Sequence, residues 1–389
     1  MPFLSAQKIH DGHGWLPDDT IIEVSDDNTI LSVKRGPKFE ARYFDGILAP
    51  GFVNAHCHLE LSHMKGLGAE HTGLIPFLKD IPLHRNDFTD KQKKIARLQG
   101  YKELVRNGVV AVGDISNTTD ALDIRALDEL HFHSFIETIG FTETKAQRFY
   151  DNSVNTYSSY AAQQQGKKIL KQSIVPHAPY SVSTTLFRLI DGHSSNAVIS
   201  VHNQECDDEN RYYIAKDGHV SELLQLLGID DSYFKPSGKP SLQTYLEWMS
   251  PDHTYILVHN TCSTKYDVRY AQSRMRNVFW CLCPNANLYI ENTLPDIDMF
   301  ISEGENICIG TDSLASNHQL SVLSELLTIK EHFPHIGWET LLTWATSNGA
   351  RALQMQDTIG TIEPGKKPGI IHISGFDKIF EKPHVERII

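Results

Sequence analysis

Eight short apolar segments, six of which lead into polar side chains, constrain the fold of this chain more than any other feature. They lie between residues 51 and 313, with helical patterns between them. In chain order they read GFVNA, VVAVGDIS, SFIETIG, SIVPHAPYS, AVISVHNQE, TYILVHNT, VFWCLCPNA and NICIGTDS. Continuous apolar strands are typical of parallel sheets that helices cover on the outside. The pattern therefore predicts an α/β protein with a TIM-type (β/α)8 barrel.

The two ends of the chain carry a different pattern. Residues 20–36 read TIIEVSDDNTILSVKRG, which is two β-branched runs joined by a turn signal, and residues 369–376 read GIIHISGF. Neither end is long enough to hold a core alone. We therefore expect residues 1–48 and 354–389 to pair into a small β-sandwich domain beside a catalytic barrel of residues 49–353.

The first barrel segment runs into two histidines. Within PGFVNAHCHLELSHMKG, His56 and His58 are two residues apart, with Cys57 between them. Successive strand side chains point to opposite faces, so the two imidazoles share one face. Such a pair resembles half of a metal site, although two hydrogen-bonded histidines without a metal would show the same spacing.

Six of the eight segments end in groups that bind metals or transfer protons. Barrel active sites are built at the C-terminal ends of the strands, so these groups are expected to share one rim. The groups are His56-Cys57-His58, Pro176-His177-Ala178-Pro179-Tyr180, His202-Asn203-Gln204-Glu205, His259-Asn260, Cys283-Pro284-Asn285-Ala286-Asn287 and Gly310-Thr311-Asp312-Ser313. Six independent strands would not place such groups at one rim by chance, and we predict an active site there.

Bulk properties narrow the class of partner. The formal net charge of −12 argues against nucleic acid or an anionic membrane and favours a small-molecule substrate. The start, MPFLSAQKIHDGHGW, has no signal-peptide pattern, and no apolar run is long enough to span a bilayer. The six cysteines lack the spacing of a disulfide framework, which indicates reduced thiols in a cytoplasm. We leave a homodimer open.

The motifs between DGILAPGFVNAHCHLE and GTIEPGKKPG resemble the amidohydrolase superfamily, specifically its mononuclear deaminase and chlorohydrolase branch. The resemblance implies that His56, His58, His202 and Asp312 are the metal ligands. No lysine follows the fourth strand, so a carboxylated lysine bridging two metals is not expected. Three imidazoles and a carboxylate suit one divalent ion, which we expect to be zinc, with iron as the alternative.

The resemblance also implies catalytic roles. Glu205, three residues after His202, matches the glutamate that carries protons in these deaminases. His259 matches the strand-six histidine that orients or polarises the attacking water, and Asp312 also holds that water and accepts its proton. The expected reaction is hydrolytic deamination of an amino-substituted nitrogen heterocycle, with release of ammonia.

The substrate is predicted from two motifs. PHAPYSVS, with His177, and HLELS resemble deaminases of adenosine-like nucleosides, including methylthioadenosine, S-adenosylhomocysteine and aminofutalosine. We expect His177, Asn287 and Glu60 to contact the substrate, with Glu60 on ribose hydroxyls. The tail GKKPGII departs from the Ala-Asp pair of many relatives. Guanine, cytosine and s-triazine substrates stay open, the last with chloride as leaving group.

Two further hypotheses concern the whole chain and one segment. A non-catalytic barrel that serves as a scaffold is an alternative from another class, but it should have lost metal ligands, and here all of them are present together. The segment from Asp207 to Met249, between strands five and six, is long for a connection and suits a cover over the site.

Overall fold

The computed structural model describes residues 3–84, 87–164, 166–376 and 382–389. The strands of this part of the chain are β1 Phe3–Ile9, β2 Thr20–Val24, β3 Ile30–Arg35, β4 Arg42–Pro50, β5 Phe52–Cys57, β6 Val109–Ser116, β7 His131–Thr138, β8 Leu170–Pro176, β9 Val198–Asn203, β10 Thr254–His259, β11 Asn277–Leu282, β12 Asn306–Ile309, β13 Ile370–Ser374 and β14 His384–Arg387. Each of the eight predicted apolar segments overlaps one of the strands β5 to β12.

Helices follow most barrel strands. They are α1 Leu74–His84, α2 Asp90–Arg106, α3 Leu122–Arg125, α4 Ala146–Ala161, α5 Thr184–Asp191, α6 Asp207–Ala215, α7 Val220–Leu226, α8 Ser241–Tyr245, α9 Lys265–Arg274, α10 Pro284–Glu291, α11 Ile297–Ser302, α12 Val322–His332, α13 Trp338–Thr343 and α14 Gly349–Ala352. Short 3₁₀ turns cover Lys38–Glu40, Leu59–Met64, Glu143–Lys145, Pro179–Ser181 and Leu246–Trp248, and a π-helical turn covers Trp344–Asn348. In the described ranges, no helix combines the length and apolar character needed to cross a bilayer.

Strands β5 to β12 form the predicted barrel. They pair in parallel and in chain order, as β5-β6-β7-β8 and β9-β10-β11-β12. The two runs meet at their C-terminal ends, where the His202 amide donates to the His177 carbonyl (2.9 Å) and the Thr311 amide to the His56 carbonyl (3.0 Å). Asn54 strengthens the second junction, since its Nδ2 donates to Thr311 Oγ1 (2.8 Å). The rim that carries the polar side chains is therefore also where the barrel closes.

Local sequence signals set where the barrel helices begin and end. At the start of α2, Thr89 Oγ1 accepts from the Gln92 amide (3.3 Å) and Gln92 Oε1 accepts from the Thr89 amide (2.9 Å). This capping box satisfies two amides that the helix itself leaves unpaired. The helix stops before Gly108, whose φ of +77° favours glycine.

Strands from the two ends of the chain pair with one another, as predicted. Their strands form a single mixed sheet of order β14-β13-β4-β1-β2-β3, in which β1 and β4 pair in parallel and the other neighbours are antiparallel. Its apolar core includes Leu4, Ile22, Phe44 and Ile370. Strand β4 ends at Pro50 and β5 begins at Phe52, so this sheet leads directly into the barrel. The division into residues 1–48 with 354–389 and residues 49–353 stays our proposal.

Additional helices lie over the C-terminal mouth of the barrel. Helix α1 lies between β5 and β6, and α6, α7 and α8 lie between β9 and β10, inside the segment that the sequence analysis interprets as a cover. A separate apolar cluster joins α1, α6 and α7, with Leu74 and Phe77 together with Tyr212, Leu223 and Leu224. This cluster fixes the helices above the strand ends without contributing to the barrel core.

Candidate active site

Backbone geometry at the strand ends orients the polar side chains. His259 is the last residue of β10, and its φ is +72°; Asp312 follows β12 with a φ of +55°, and Gln204 follows β9 with a φ of +44°. Non-glycine residues adopt this region at a cost of roughly 1–3 kcal/mol each, and such strain concentrates at functional sites. The surrounding barrel holds these side chains in orientations that a relaxed strand end would not give.

Three imidazoles and a carboxylate converge at the centre of the rim. His58 Nε2 lies 3.1 Å from His56 Nε2 and 3.3 Å from His202 Nε2. Asp312 Oδ1 lies 3.2 Å from His58 Nε2 and 3.5 Å from His56 Nε2. All four side chains are buried. Neutral ring nitrogens this close point several lone pairs at one place, which is the arrangement that a bound cation stabilises.

The protonation states around the cluster fit that interpretation. His202 Nδ1 donates to the His177 carbonyl (2.8 Å), which leaves the lone pair on Nε2, facing the cluster. Burial lowers the pKa of His58 to about 4 and that of His202 well below its usual range. Burial raises the pKa of Asp312, but the hydrogen bond with His56 and the nearby histidines outweigh it and hold that pKa well below normal. The cluster thus offers neutral nitrogens and an ionised carboxylate.

The geometry offers one more donor than a four-coordinate site needs. One ligand atom each from His56, His202, His259 and Asp312 lies within 4.8 Å of the others. His58 is outside that group of four, although its Nε2 lies only 3.1 Å from His56 Nε2 and 3.3 Å from His202 Nε2. The donor set fits a divalent transition metal such as zinc or iron, with His58 and His259 competing for one position.

Glu205 and His259 lie side by side next to the cluster. Glu205 Oε1 is 3.6 Å from His259 Nε2. Burial, with a contribution from the Asp312 charge, raises the pKa of Glu205 well above its usual range, which favours the protonated form of this carboxyl. Burial lowers the pKa of His259, which keeps its ring neutral. The pair combines a proton donor with an imidazole acceptor.

Asn287, predicted to contact the substrate, lies behind His259. The Nδ1–H of His259 donates to Asn287 Oδ1 (3.4 Å), and Asn287 Nδ2 donates to Thr261 Oγ1. These bonds fix the tautomer of His259 and leave the lone pair on Nε2. Asn287 is not among the described residues that line the cavity in front of the cluster.

A cavity of about 230 Å³ opens from the cluster toward helices α1 and α7. Its floor is polar, and the groups that form it are His58, Asn117, Glu137, His177, His202, Glu205, His259 and Asp312. Its opposite wall is apolar, and the side chains that form it are Leu61, Leu74, Phe77, Leu78, Ile81, Ile139, Leu223, Leu224, Leu227, Ile229 and Ile290. The site can therefore hold a ligand with one polar, reacting end and one apolar end.

The other two predicted substrate contacts have different surroundings. His177 lines the cavity, and its Nδ1 lies 2.6 Å from Ser181 Oγ. Glu60 is buried but is not one of the described lining residues; its carboxylate accepts from the amides of Asn117 (3.1 Å) and Thr118 (3.1 Å). Glu60 thus holds a loop that reaches the cavity through Asn117.

The sequence analysis missed Glu137. This residue lies near the end of β7 and lines the cavity, and its Oε2 accepts from Asn117 Nδ2 (2.7 Å). A signal was present, because Glu137 is the only charged residue of SFIETIG. Asn117 and the apolar residues of α1 were also missed, and nothing in their types distinguishes them from ordinary loop and core residues.

The chain is similar in sequence and in fold to known proteins. The sequence is 26% identical over 390 residues to an adenosine deaminase of Helicobacter pylori (strain ATCC 700392 / 26695), with 98% of this chain and 91% of that protein covered. The structure resembles that of Helicobacter pylori aminofutalosine deaminase in complex with methylthio-coformycin, with a TM-score of 0.79, 21% identity and coverage of 98% and 94%. It also resembles a zinc-bound adenosine deaminase from Xanthomonas campestris, with a TM-score of 0.67, 19% identity and coverage of 98% and 87%. The profile of the Amidohydrolase family matches residues 47–388. This chain therefore belongs to the amidohydrolase family.

Proposed function

We propose that this protein is a metal-dependent hydrolytic deaminase of an adenosine-type nucleoside that carries a substituent at its 5′ position. One observation carries the proposal: the buried carboxyl of Glu205 lies 3.6 Å from His259, beside a cluster of metal-binding groups at the bottom of a cavity. Deamination of a ring needs this combination of a nucleophile and a proton donor on the same side of the substrate.

The metal ligands that we propose are His56, His58, His202 and Asp312, and we propose zinc as the ion, with iron as the alternative. When bound, the ion makes a nucleophile available near neutral pH, because coordination lowers the pKa of a water molecule from about 16 toward about 7. The donor set supports zinc, since imidazole nitrogens and a carboxylate are its common ligands.

The protein side chains move the protons. Asp312 accepts the proton of the attacking water, while the lone pair on His259 Nε2 orients that water toward the ring carbon that bears the amino group. Glu205 donates its proton to the neighbouring ring nitrogen. Its carboxylate then takes the proton of the newly added hydroxyl group and passes it to the amine, so that ammonia leaves as the C–O bond becomes a carbonyl. The proton held by Asp312 returns to Glu205, which restores both groups. Asn287 supports these proton transfers by holding His259 in the required tautomer.

The two faces of the cavity support the substrate class. A purine ring placed on the polar floor would bring its amino-bearing carbon to Glu205 and His259, and the 5′ substituent would then contact the apolar wall formed by residues of α1 and the segment around α7. The similarity to deaminases of adenosine and aminofutalosine favours the same substrate class.

A screen of released product tests the function. Purified protein with its metal content measured would be incubated with 5′-methylthioadenosine, 5′-deoxyadenosine, adenine, guanine, cytosine and a chloro-s-triazine, and ammonia and chloride would be quantified. We expect ammonia, with the highest kcat/KM for a 5′-substituted nucleoside, and about one metal ion per chain. A free base as the best substrate, or chloride release, would replace the proposal by one of the alternatives. Metal far below one ion per chain, with no activity, would favour the scaffold hypothesis.

A further inference from the structure

Glu137 is a buried carboxylate of the cavity floor that the proton transfers above leave unused. Its Oε2 accepts from Asn117 Nδ2 (2.7 Å), whereas its Oε1 is buried and accepts no hydrogen bond from the described part of the chain. Buried polar atoms of folded proteins nearly always have a partner. Since Glu137 lines the cavity, the open Oε1 indicates a hydrogen-bond donor that arrives with the ligand.

The nearest ring nitrogen cannot serve as that donor. His202 Nδ1 lies 3.6 Å from Glu137 Oε1, beyond hydrogen-bond distance. Its proton is already donated to the His177 carbonyl at 2.8 Å. The Oε1 atom is therefore a buried acceptor without a donor, on a residue that lines the cavity.

A second acceptor lies close by, on His177. Ser181 Oγ lies 3.1 Å from the Ala178 carbonyl and 2.6 Å from His177 Nδ1. When the hydroxyl donates its one proton to the carbonyl, it accepts from Nδ1–H of His177, and the lone pair of that ring is then on Nε2. One ligand atom each from Glu137, His177 and His202 lies within 4.8 Å of the others, so the carboxylate and the imidazole are near neighbours.

A second metal ion fits this group poorly. Both ring nitrogens of His202 are committed, Nε2 to the central cluster and Nδ1–H to the His177 carbonyl. Two neighbouring acceptors instead match a ligand with two neighbouring hydroxyl donors. We propose that Glu137, together with His177, binds the vicinal 2′- and 3′-hydroxyl groups of a ribose and makes the enzyme specific for ribonucleosides. The inference rests on the proposed function.

The inference gives Glu137 the ribose contact that the sequence analysis predicts for Glu60. Glu60 does not contact the ribose in this arrangement, since its carboxylate accepts from the backbone amides of Asn117 and Thr118. The side chain of Asn117 in turn orients Glu137. Glu60 is a positioning residue in this arrangement, and Glu137 touches the substrate.

The test combines a change in the enzyme with a change in the substrate. 5′-Deoxyadenosine, 2′,5′-dideoxyadenosine and 3′,5′-dideoxyadenosine would be compared on the wild type, on Glu137→Gln, which places an amide donor where the open acceptor lies, and on Glu137→Ala. Glu222→Gln, an exposed carboxylate on α7, serves as the control. Metal content and thermal unfolding would be measured for every variant.

We expect the wild type and Glu222→Gln to lose on the order of 10²- to 10⁴-fold in kcat/KM when one of the two hydroxyls is removed, because a site built to bind a hydroxyl rejects the analogue that lacks it. Both Glu137 variants should lose about 10²-fold on 5′-deoxyadenosine and discriminate less than about tenfold between it and the dideoxy analogues, with metal content unchanged.

If the Glu137 variants lose the same factor in kcat/KM on all three substrates, the discrimination between these substrates survives without Glu137. That result would overturn the inference while the deaminase function stands. Two metal ions per chain in the wild type and one in Glu137→Gln would also overturn it, in favour of a second metal site. Failure of the wild type to deaminate any nucleoside would overturn the proposed function itself.

Discussion

The floor of the cavity consists of side chains at the ends of parallel strands, whereas its opposite wall consists mainly of side chains from α1 and from the segment around α7. Floor residues such as His58 and His259 are buried, and their ring nitrogens have specific polar neighbours. Wall residues such as Leu227 make no directional bond, and 48% of the Leu227 surface is exposed.

The difference separates two tasks. A reaction needs its groups held within a fraction of an ångström, and strand ends of a closed barrel supply that rigidity. Recognition of an apolar substituent needs only contact area. Helices in a connecting segment can supply that area, and their side chains can vary without disturbing the barrel. Changes in the floor should therefore remove the metal or the turnover, while changes in the apolar wall should alter KM.

The largest effect is expected at His58. The His58→Ala variant should fold, because the barrel core does not depend on this imidazole, but its metal should fall from about one ion per chain to less than about a tenth. His259→Ala should keep most of its metal and lose turnover. Metal analysis after gel filtration checks both, with the exposed His332→Ala as control. The reverse pattern would show that His259, and not His58, is the ligand.

The next effect concerns proton transfer at Glu205. Glu205→Gln should retain the metal and lose roughly 10²- to 10⁴-fold in kcat, because the amide cannot donate a proton and recover it. Single-turnover and steady-state rates measure the loss, and the Glu222→Gln variant should remain at the wild-type rate. Loss of metal from Glu205→Gln would mean that a ligand has been assigned as a proton carrier.

His177→Ala tests the boundary between the catalytic groups and the substrate contacts. Its side chain faces the cavity, but the carbonyl that holds His202 belongs to the backbone and remains in the variant. We expect unchanged metal content and a decrease of about 10- to 10²-fold in kcat/KM for a nucleoside. A variant with wild-type kinetics would remove His177 from the substrate site.

The smallest effect is expected in the apolar wall, where two neighbouring leucines form a matched pair. Leu227 lines the cavity and Leu226 is not among its described lining residues, although both are exposed, at 48% and 64%. Leu227→Ala should raise KM for 5′-methylthioadenosine about 3- to 10-fold with little change in kcat, whereas Leu226→Ala should change neither. An equal response of the two variants would argue against contact between this wall and the substituent.

The same contrast explains how much the sequence predicts. The eight strands and the rim residues were predictable because histidine and carboxylate side chains are rare at the ends of apolar strands, and the strand period places His56 and His58 on one face. The wall was only partly predictable. The long segment 207–249 indicates a cover, but Leu74 and Phe77 of α1 have the same residue types in a core and in a cavity.

Other details depend on contacts between distant parts of the chain. Glu60 and Glu137 are both acidic residues near a strand end, and only the fold shows that Glu60 holds a loop while Glu137 lines the cavity. Both terminal segments have strand patterns, yet the parallel pairing of β1 with β4 in one mixed sheet is not encoded in either segment alone.

The junction between β5 and the loop after β12 has a consequence for the order of folding. The His56 carbonyl accepts from the amides of both Thr311 and Asp312, and Asn54 bonds Thr311 across a separation of 257 positions. A nascent chain that has emerged only as far as β11 holds all the histidines of the cluster but has neither Asp312 nor a closed ring of strands. Contacts between such distant positions form late because their loop-closure cost is high. Metal loaded during synthesis would meet an incomplete set of the proposed ligands, so the last barrel strand to leave the ribosome would also complete the proposed metal site.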